Sequence, residues 1–250
     1  MTATLRVMEL TKTFNNFTAV NKISFSAAQG EVVGFLGPNG AGKSTSMKMI
    51  TGFLTPSSGT AYIGGYDILE QPLEAKRLLG YLPEGAPSYP DMTVAQFISF
   101  IADIRGIKKS EKELKINNVI NKVNLQSVLS QRIETLSKGF KRRVGLAQAL
   151  IHDPSVLILD EPTDGLDPNQ KREMRKLISE MAKDKVIILS THILEEVEAV
   201  CDRVIVVSSG KIILDSTPEE LALKQAKRSA IAALEEVFSS IVNAEFQGVS

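Results

Sequence analysis

The densest chemistry in this 250-residue chain lies in Gly37-Pro38-Asn39-Gly40-Ala41-Gly42-Lys43-Ser44-Thr45. From Gly37 to Ser44 the stretch fits the phosphate-loop pattern G-x-x-x-x-G-K-[ST]. Glycines let the backbone curl so that several N–H groups point at one phosphate, and a following helix N-terminus adds partial positive charge. Lys43 is placed to reach the β- and γ-phosphates, and the Ser44 hydroxyl to sit on Mg²⁺. The pattern predicts a nucleoside triphosphate ligand.

Other residues with chemical potential recur at the ends of apolar runs. Ser155 to Glu161 reads as an unbroken apolar strand ending in two acids, Asp160 and Glu161. Acids at the carboxyl end of such a strand lie in the ligand crevice of an open α/β sheet. The first can hold the metal shell, and the second can orient or deprotonate water. His192 closes a second buried run, Lys185 to Ser190, and so meets the same crevice. Glu84 follows a third strand, Leu79 to Leu82. Phe14 reads either as a hairpin aromatic or as a platform on which a purine ring stacks. Ser137, with Gly139, opens a helix, where it serves as a simple cap or as an anion dock. His152, beside Asp153-Pro154, falls in a helix-to-strand turn and reads as structural.

These residues need an α/β scaffold. Val32 to Leu36 is the strand feeding the loop, and Ser44 to Gly52 the helix leaving it. Leu5 to Leu10 and Ile23 to Ala27 read as strands flanking the polar turn around Asn15-Asn16, and Thr60 to Ile63 as a further strand. Between residues 86 and 135 the texture becomes helical. Thr93 to Gln96 is a capping box ahead of Val94, Phe97, Ile98 and Ile101, and Ser110 to Glu113 reads as a second box. Asp167-Pro168 starts a further helix with Asp as N-cap and Pro at N1. Leu234, Val237, Phe238 and Ile241 give residues 221–250 an amphipathic stripe.

Composition narrows the partners. Lys+Arg and Asp+Glu are both 29, so no global field argues for nucleic acid or an acidic membrane surface. The lone Cys201 excludes an internal disulfide and favours a reducing compartment. Met1 to Ala28 lacks a basic start followed by an apolar core, so no secretory signal is expected. No apolar run approaches the roughly 18 residues of a membrane span, so a membrane role is expected to run through a partner.

Together these pieces resemble the ATPase subunit of ATP-binding cassette (ABC) transporters. The phosphate loop, Leu136-Ser137-Lys138-Gly139-Phe140 as signature, Ile158-Leu159-Asp160-Glu161, Asp164-Gly165-Leu166-Asp167 as dimer-contact loop and His192 follow that family's order. The resemblance implies an α/β P-loop NTPase core of the RecA-like kind, with a small antiparallel β subdomain. Residues 1–220 form the ATPase domain: 1–85 and 136–220 are catalytic core, and 86–135 are a helical insertion that docks the membrane subunit. Phe14 becomes the adenine platform, Glu161 the catalytic base, His192 the γ-phosphate switch, and Lys43 a further catalytic residue. Ser44, Asp160 and Glu84 are the metal candidates. Ser137 and Gly139 face the γ-phosphate of ATP held by a second subunit, a copy of this chain or a paralogue, in a head-to-tail dimer. ATP and Mg²⁺ are the implied cofactors. A cytoplasmic position on the inner membrane face, through an integral permease, is the implied location.

The family usually has Gln where this chain has Glu84, and Gly-Gly-Gln where it has Lys138-Gly139-Phe140. These forms resemble the exporter branch with separately encoded membrane subunits. Three other readings stay open. A GTPase commonly reads guanine with Asn-Lys-x-Asp, but Asn21-Lys22-Ile23-Ser24 and Asn121-Lys122-Val123-Asn124 lack the Asp. A soluble ABC protein acting on ribosomes or DNA usually carries a second cassette or long inserted coiled coils. The interval from Lys43 to Ser137 is too short for such an insertion. The last is ATP binding that regulates a partner without net transport.

Overall fold

Ten strands, seven α-helices and two short 3₁₀ helices are bounded within the described residues of the computed structural model, which are 5–85 and 88–223, and residues 218–223 are also helical. The first two strands, β1 (Leu5–Phe14) and β2 (Phe17–Ala27), make a hairpin whose turn places Asn15 at φ 51°. Along β1 the buried positions Leu5 and Val7 alternate, then the register shifts before Leu10. Glu9, at φ 44°, supplies the extra residue of a bulge, which returns Leu10 to the core face. Added to β4 (Ser58–Ile63) and the two-residue β5 (Tyr66–Asp67), the hairpin completes an antiparallel sheet in the order β2-β1-β4-β5.

The second sheet has six strands: β3 (Val32–Leu36), β6 (Leu79–Leu82), β7 (Val156–Asp160), β8 (Val186–Thr191), β9 (Arg203–Ser208) and β10 (Lys211–Ser216). Its order is β10-β9-β3-β8-β7-β6, with every pairing parallel except β9–β10. The β9–β10 turn has Ser209 and Gly210 at φ 48° and 74°, the doubly left-handed turn that suits twisted hairpins. β7 and β8 are buried along their whole length because both sheet faces are covered. In β7, Val156 and Ile158 pack toward the antiparallel sheet and α1 (Lys43–Ile50), while Leu157 and Leu159 pack into the helical core on the other face.

The helical core joins α3 (Val94–Ile104), α4 (Lys109–Lys122), α5 (Lys138–Leu150) and α6 (Pro168–Ala182). The first capping box forms as expected: Thr93 accepts from Gln96 N–H at 3.2 Å, and Gln96 Oε1 accepts from Thr93 N–H at 2.9 Å. Val94, Phe97 and Ile98 are essentially fully buried, each contributing about 1.5–3 kcal/mol of burial free energy. The second box does not form. Gly106 turns at φ 67° and Ile107 packs against the core, so α4 starts at Lys109 with Lys108 as N-cap, and Ser110 lies inside the helix. Gly52, at φ 66°, ends the phosphate-loop helix sooner than expected, at Ile50. Asp167 caps α6 with two bonds of 2.9 Å, followed by Pro168. The short helices α2 (Pro72–Arg77) and α7 (Leu194–Val200) flank the six-stranded sheet. The stripe Leu234 to Ile241 lies outside the described residues.

Candidate functional site

Three neighbouring parallel strands end at one place. β3 runs into the phosphate loop, β7 ends in Asp160 and β8 ends before His192. Gly37 N–H donates to Thr191 O at 3.4 Å, tying loop to β8, and Ala41 N–H donates back to Pro38 O at 3.2 Å. Gly42 caps α1 at φ 104°, and a Cβ there would stand 2.6 Å from Ala19 O, so only glycine fits. Lys43 is buried, and its ammonium donates to Gly37 O at 2.7 Å and Pro38 O at 3.2 Å.

Asp160 Oδ1 accepts from Ser44 Oγ at 3.2 Å and also from Ser190 Oγ. A carboxylate oxygen and a hydroxyl at the start of α1 therefore converge. Glu161 does not continue the strand as its sequence suggested. It leaves at φ 48°, and its N–H is shared between Ser190 O at 3.1 Å and Ser190 Oγ at 3.2 Å. That turn aims its carboxylate at His192 Nδ1, 3.1 Å away, and Lys43 Nζ, 3.7 Å away. The Glu161 side chain is 11% exposed and that of His192 42%, so the acid is held and the imidazole meets solvent.

A cleft of about 550 Å³ takes in Phe14, Asn39, Lys43, Ser44, Glu161 and His192, together with Gly40, Gly42, Thr45 and Glu84 on its walls. Phe14 is 46% exposed, and Lys12 Nζ lies 5.2 Å from its ring centroid. Ser137 and Gly139 do not line this cleft. Ser137 is exposed at the start of α5, where it accepts from Phe140 N–H at 3.4 Å. Gly139 is buried against α6, where a Cβ would stand 2.7 Å from the Gln170 amide. Beside it, Lys138 Nζ pairs with Asp164 at 3.2 Å, joining the signature to the loop after Glu161.

His152 is remote from the cleft: its Nε2 lies 2.9 Å from Leu79 O, and burial pushes its pKa down to about 4. Three contributors escaped the sequence reading. Phe17, 65% exposed, is the cross-strand partner of Phe14 and lines the same cleft. Glu196 is buried and accepts from Thr191 Oγ1 at 2.8 Å, from Lys171 Nζ at 3.3 Å and from Thr163 Oγ1. It thereby ties the segment after Glu161 to the residue before His192. Arg142 is buried on α5 in the stripe it shares with Gly145, Leu146 and Ala149. A charge in an otherwise apolar or small-residue stripe was the signal available for it.

Comparison with known proteins agrees with this geometry. The family pattern described as ABC transporter matches residues 20–164. The chain is 39% identical over 223 residues to the probable multidrug ABC transporter ATP-binding protein YbhF of Escherichia coli, covering 89% of this chain but only 38% of that protein's length. It is 37% identical over 205 residues to the ABC transporter ATP-binding protein NatA of Bacillus subtilis, covering 81% of this chain and 83% of that one. Among solved structures it is similar to CbiO1 from Clostridium perfringens, described as part of the transporter complex CbiONQ. That match has a TM-score of 0.79 and 32% identity, over 93% of this chain and 96% of that one. The chain belongs to the ABC transporter family, as an ATP-binding, ATP-hydrolysing subunit.

Proposed function

We propose that Lys43, Ser44, Asp160, Glu161 and His192 form one half of a shared ATP site, and that Ser137 and Gly139 of a second subunit complete it. The observation that carries this reading is the separation of the two sets. Lys43, Ser44, Glu161 and His192 share one cleft, with Asp160 hydrogen-bonded to Ser44 beside it, while Ser137 lies at an exposed helix start outside it. The triphosphate sits on the phosphate-loop N–H groups and Lys43. The base stacks on Phe14, with Phe17 beside it, so its edges go unread. Glu161 accepts the proton of a water whose oxygen attacks the γ-phosphorus. The bond to the β–γ bridging oxygen breaks, releasing ADP and inorganic phosphate. His192, bearing its proton on Nδ1, donates to Glu161 and holds the base in place.

The donor set fits Mg²⁺. Among the described residues no cluster of three His, Cys, Asp or Glu forms a closed cage. Mg²⁺ is typically held by one or two carboxylates plus phosphate oxygens and waters, and Ser44 with Asp160 offers that sparse arrangement, with Glu84 on the rim. Ser44 and Asp160 would hold the ion there, and it would supply positive charge against that of the phosphates.

The machine works as an exporter through a separate integral permease, and the chain lies peripherally on the inner face of the membrane. No helix of the described residues is long and apolar enough to cross a membrane. A second groove, of about 660 Å³, supports a docking role: its outer part is lined by Phe53, Lys76, Tyr81 and Arg105, and its inner end reaches Asp160 and shares Ser44 and Glu84 with the nucleotide cleft. Phe53 is 78% exposed, as suits an apolar contact with a partner. The test is co-purification with an integral membrane protein and ATPase assay of that complex. A complex whose turnover rises with cargo supports transport. A complex lacking any membrane protein, or one whose permease moves nothing, contradicts it.

A further inference from the structure

Arg142 is 7% exposed, and all five of its N–H donors end on backbone carbonyls. Nε donates to Pro162 O at 3.1 Å. Nη1 donates to Pro83 O at 3.0 Å and to Glu84 O. Nη2 donates to Asp160 O at 2.9 Å and to Glu161 O. The pairs are specific. A residue's φ and ψ are the rotations between the two peptide planes that flank it, and each plane carries one carbonyl. The carbonyls of Asp160 and Glu161 belong to the planes on either side of Glu161, so a single nitrogen, Nη2, grips both. Nη1 does the same to the two planes flanking Glu84.

Glu161 needs such a grip. Its φ of 48° is unfavourable for a residue with a side chain, and conformations of this kind persist where surroundings over-determine them. Its other backbone restraints at that turn are the N–H bond to Ser190 and the 3.2 Å bond that Glu161 O accepts from Asp164 N–H. Both acids line the nucleotide cleft, and Glu84 also lines the groove assigned to the membrane partner. The guanidinium that links them projects from α5, the helix begun by Ser137.

We infer that Arg142 is a positioning residue that sets the backbone of Glu161 and of Glu84 together, so that a shift of the Glu84 loop is passed to the general base. This inference rests on Glu161 being that base. Lysine keeps the charge but offers three donors without a planar fork, and glutamine offers two. Neither can grip both acids.

The test compares the full-length chain with R142K, R142Q, E161Q and R142K/E161Q, by nucleotide affinity with fluorescent ATP and by single-turnover hydrolysis. R142K is expected to bind Mg-ATP within about threefold of the parent and to lose about 10²-fold in kcat, the scale of a small misplacement of a reacting group. In the E161Q background the same substitution is expected to cost nothing further, since its effect runs through the missing base. Parental turnover by R142K overturns the inference, as does an equal loss in both backgrounds, which marks an independent role. If R142K binds no nucleotide, R142Q is judged on the same readings. Loss of binding by both makes Arg142 a folding residue and overturns the positioning role. Parental turnover by E161Q removes the base assignment itself; slow E161Q beside parental R142K removes only the role of Arg142.

Discussion

The strand ends and the start of α5 both carry residues that suit a phosphate, yet they are built differently. At the strand ends Lys43, Asp160 and Glu161 are buried, and each is held by several partners. At the α5 start Ser137 is exposed and makes one long capping bond, and Lys138 is 63% exposed in an ion pair with a half-exposed Asp164. Buried groups so restrained keep their geometry without help, which is what a water-activating centre requires. An exposed pair of that kind contributes little to stability. On the proposed reading, the contrast separates a finished half-site from a presented surface, so that one chain holds ATP and a second encloses it.

The comparison is broken most severely by removing the proposed base, Glu161, from the buried half. Glu161→Gln should bind ATP as the parent does and lose roughly 10²–10⁴ in turnover. Near-parental hydrolysis would show that the buried carboxylate is only structural. A smaller effect is expected at the cleft's outer wall. Phe14→Ala should weaken nucleotide binding by about 1–3 kcal/mol, the range for a base stacked on an aromatic, and GTP should compete with ATP. Isothermal titration that finds unchanged affinity would leave Phe14 a hairpin aromatic. The smallest effect belongs to Glu84, at the rim both cavities share. Glu84→Gln should raise the Mg²⁺ concentration for half-maximal turnover by less than about tenfold, or 1.4 kcal/mol. Superimposable titrations of mutant and parent would remove the charge from any part in metal binding.

What the sequence made legible is local. Apolar runs such as Val32 to Leu36 and Val186 to Ser190 are followed at once by the residues that do chemistry. Strand direction alone then brings Lys43, Asp160 and His192 together, because parallel neighbours end on one edge. The unread parts depend on contacts between distant positions. Arg142 looks like a surface cation until Pro83 and Asp160 arrive to accept its hydrogens. Glu196 reads as one more helical acid, but Thr163 and Thr191 close around it. Phe17 joins the site only through cross-strand pairing with Phe14. The start of α4 was misread for a related reason: the packing of Ile107 outweighed the capping preference of Ser110.

The claim that one chain holds half a site is tested most directly by sedimentation of the Glu161→Gln protein with saturating Mg-ATP. With hydrolysis blocked, the bound triphosphate should join two copies, and the protein should shift from monomer to dimer. Adding Ser137→Arg should abolish the shift and leave the ATP affinity of the monomer nearly unchanged, because Ser137 lies outside the monomer's own cleft. A double mutant that loses ATP affinity as a monomer would place Ser137 at its own chain's nucleotide and contradict the shared site.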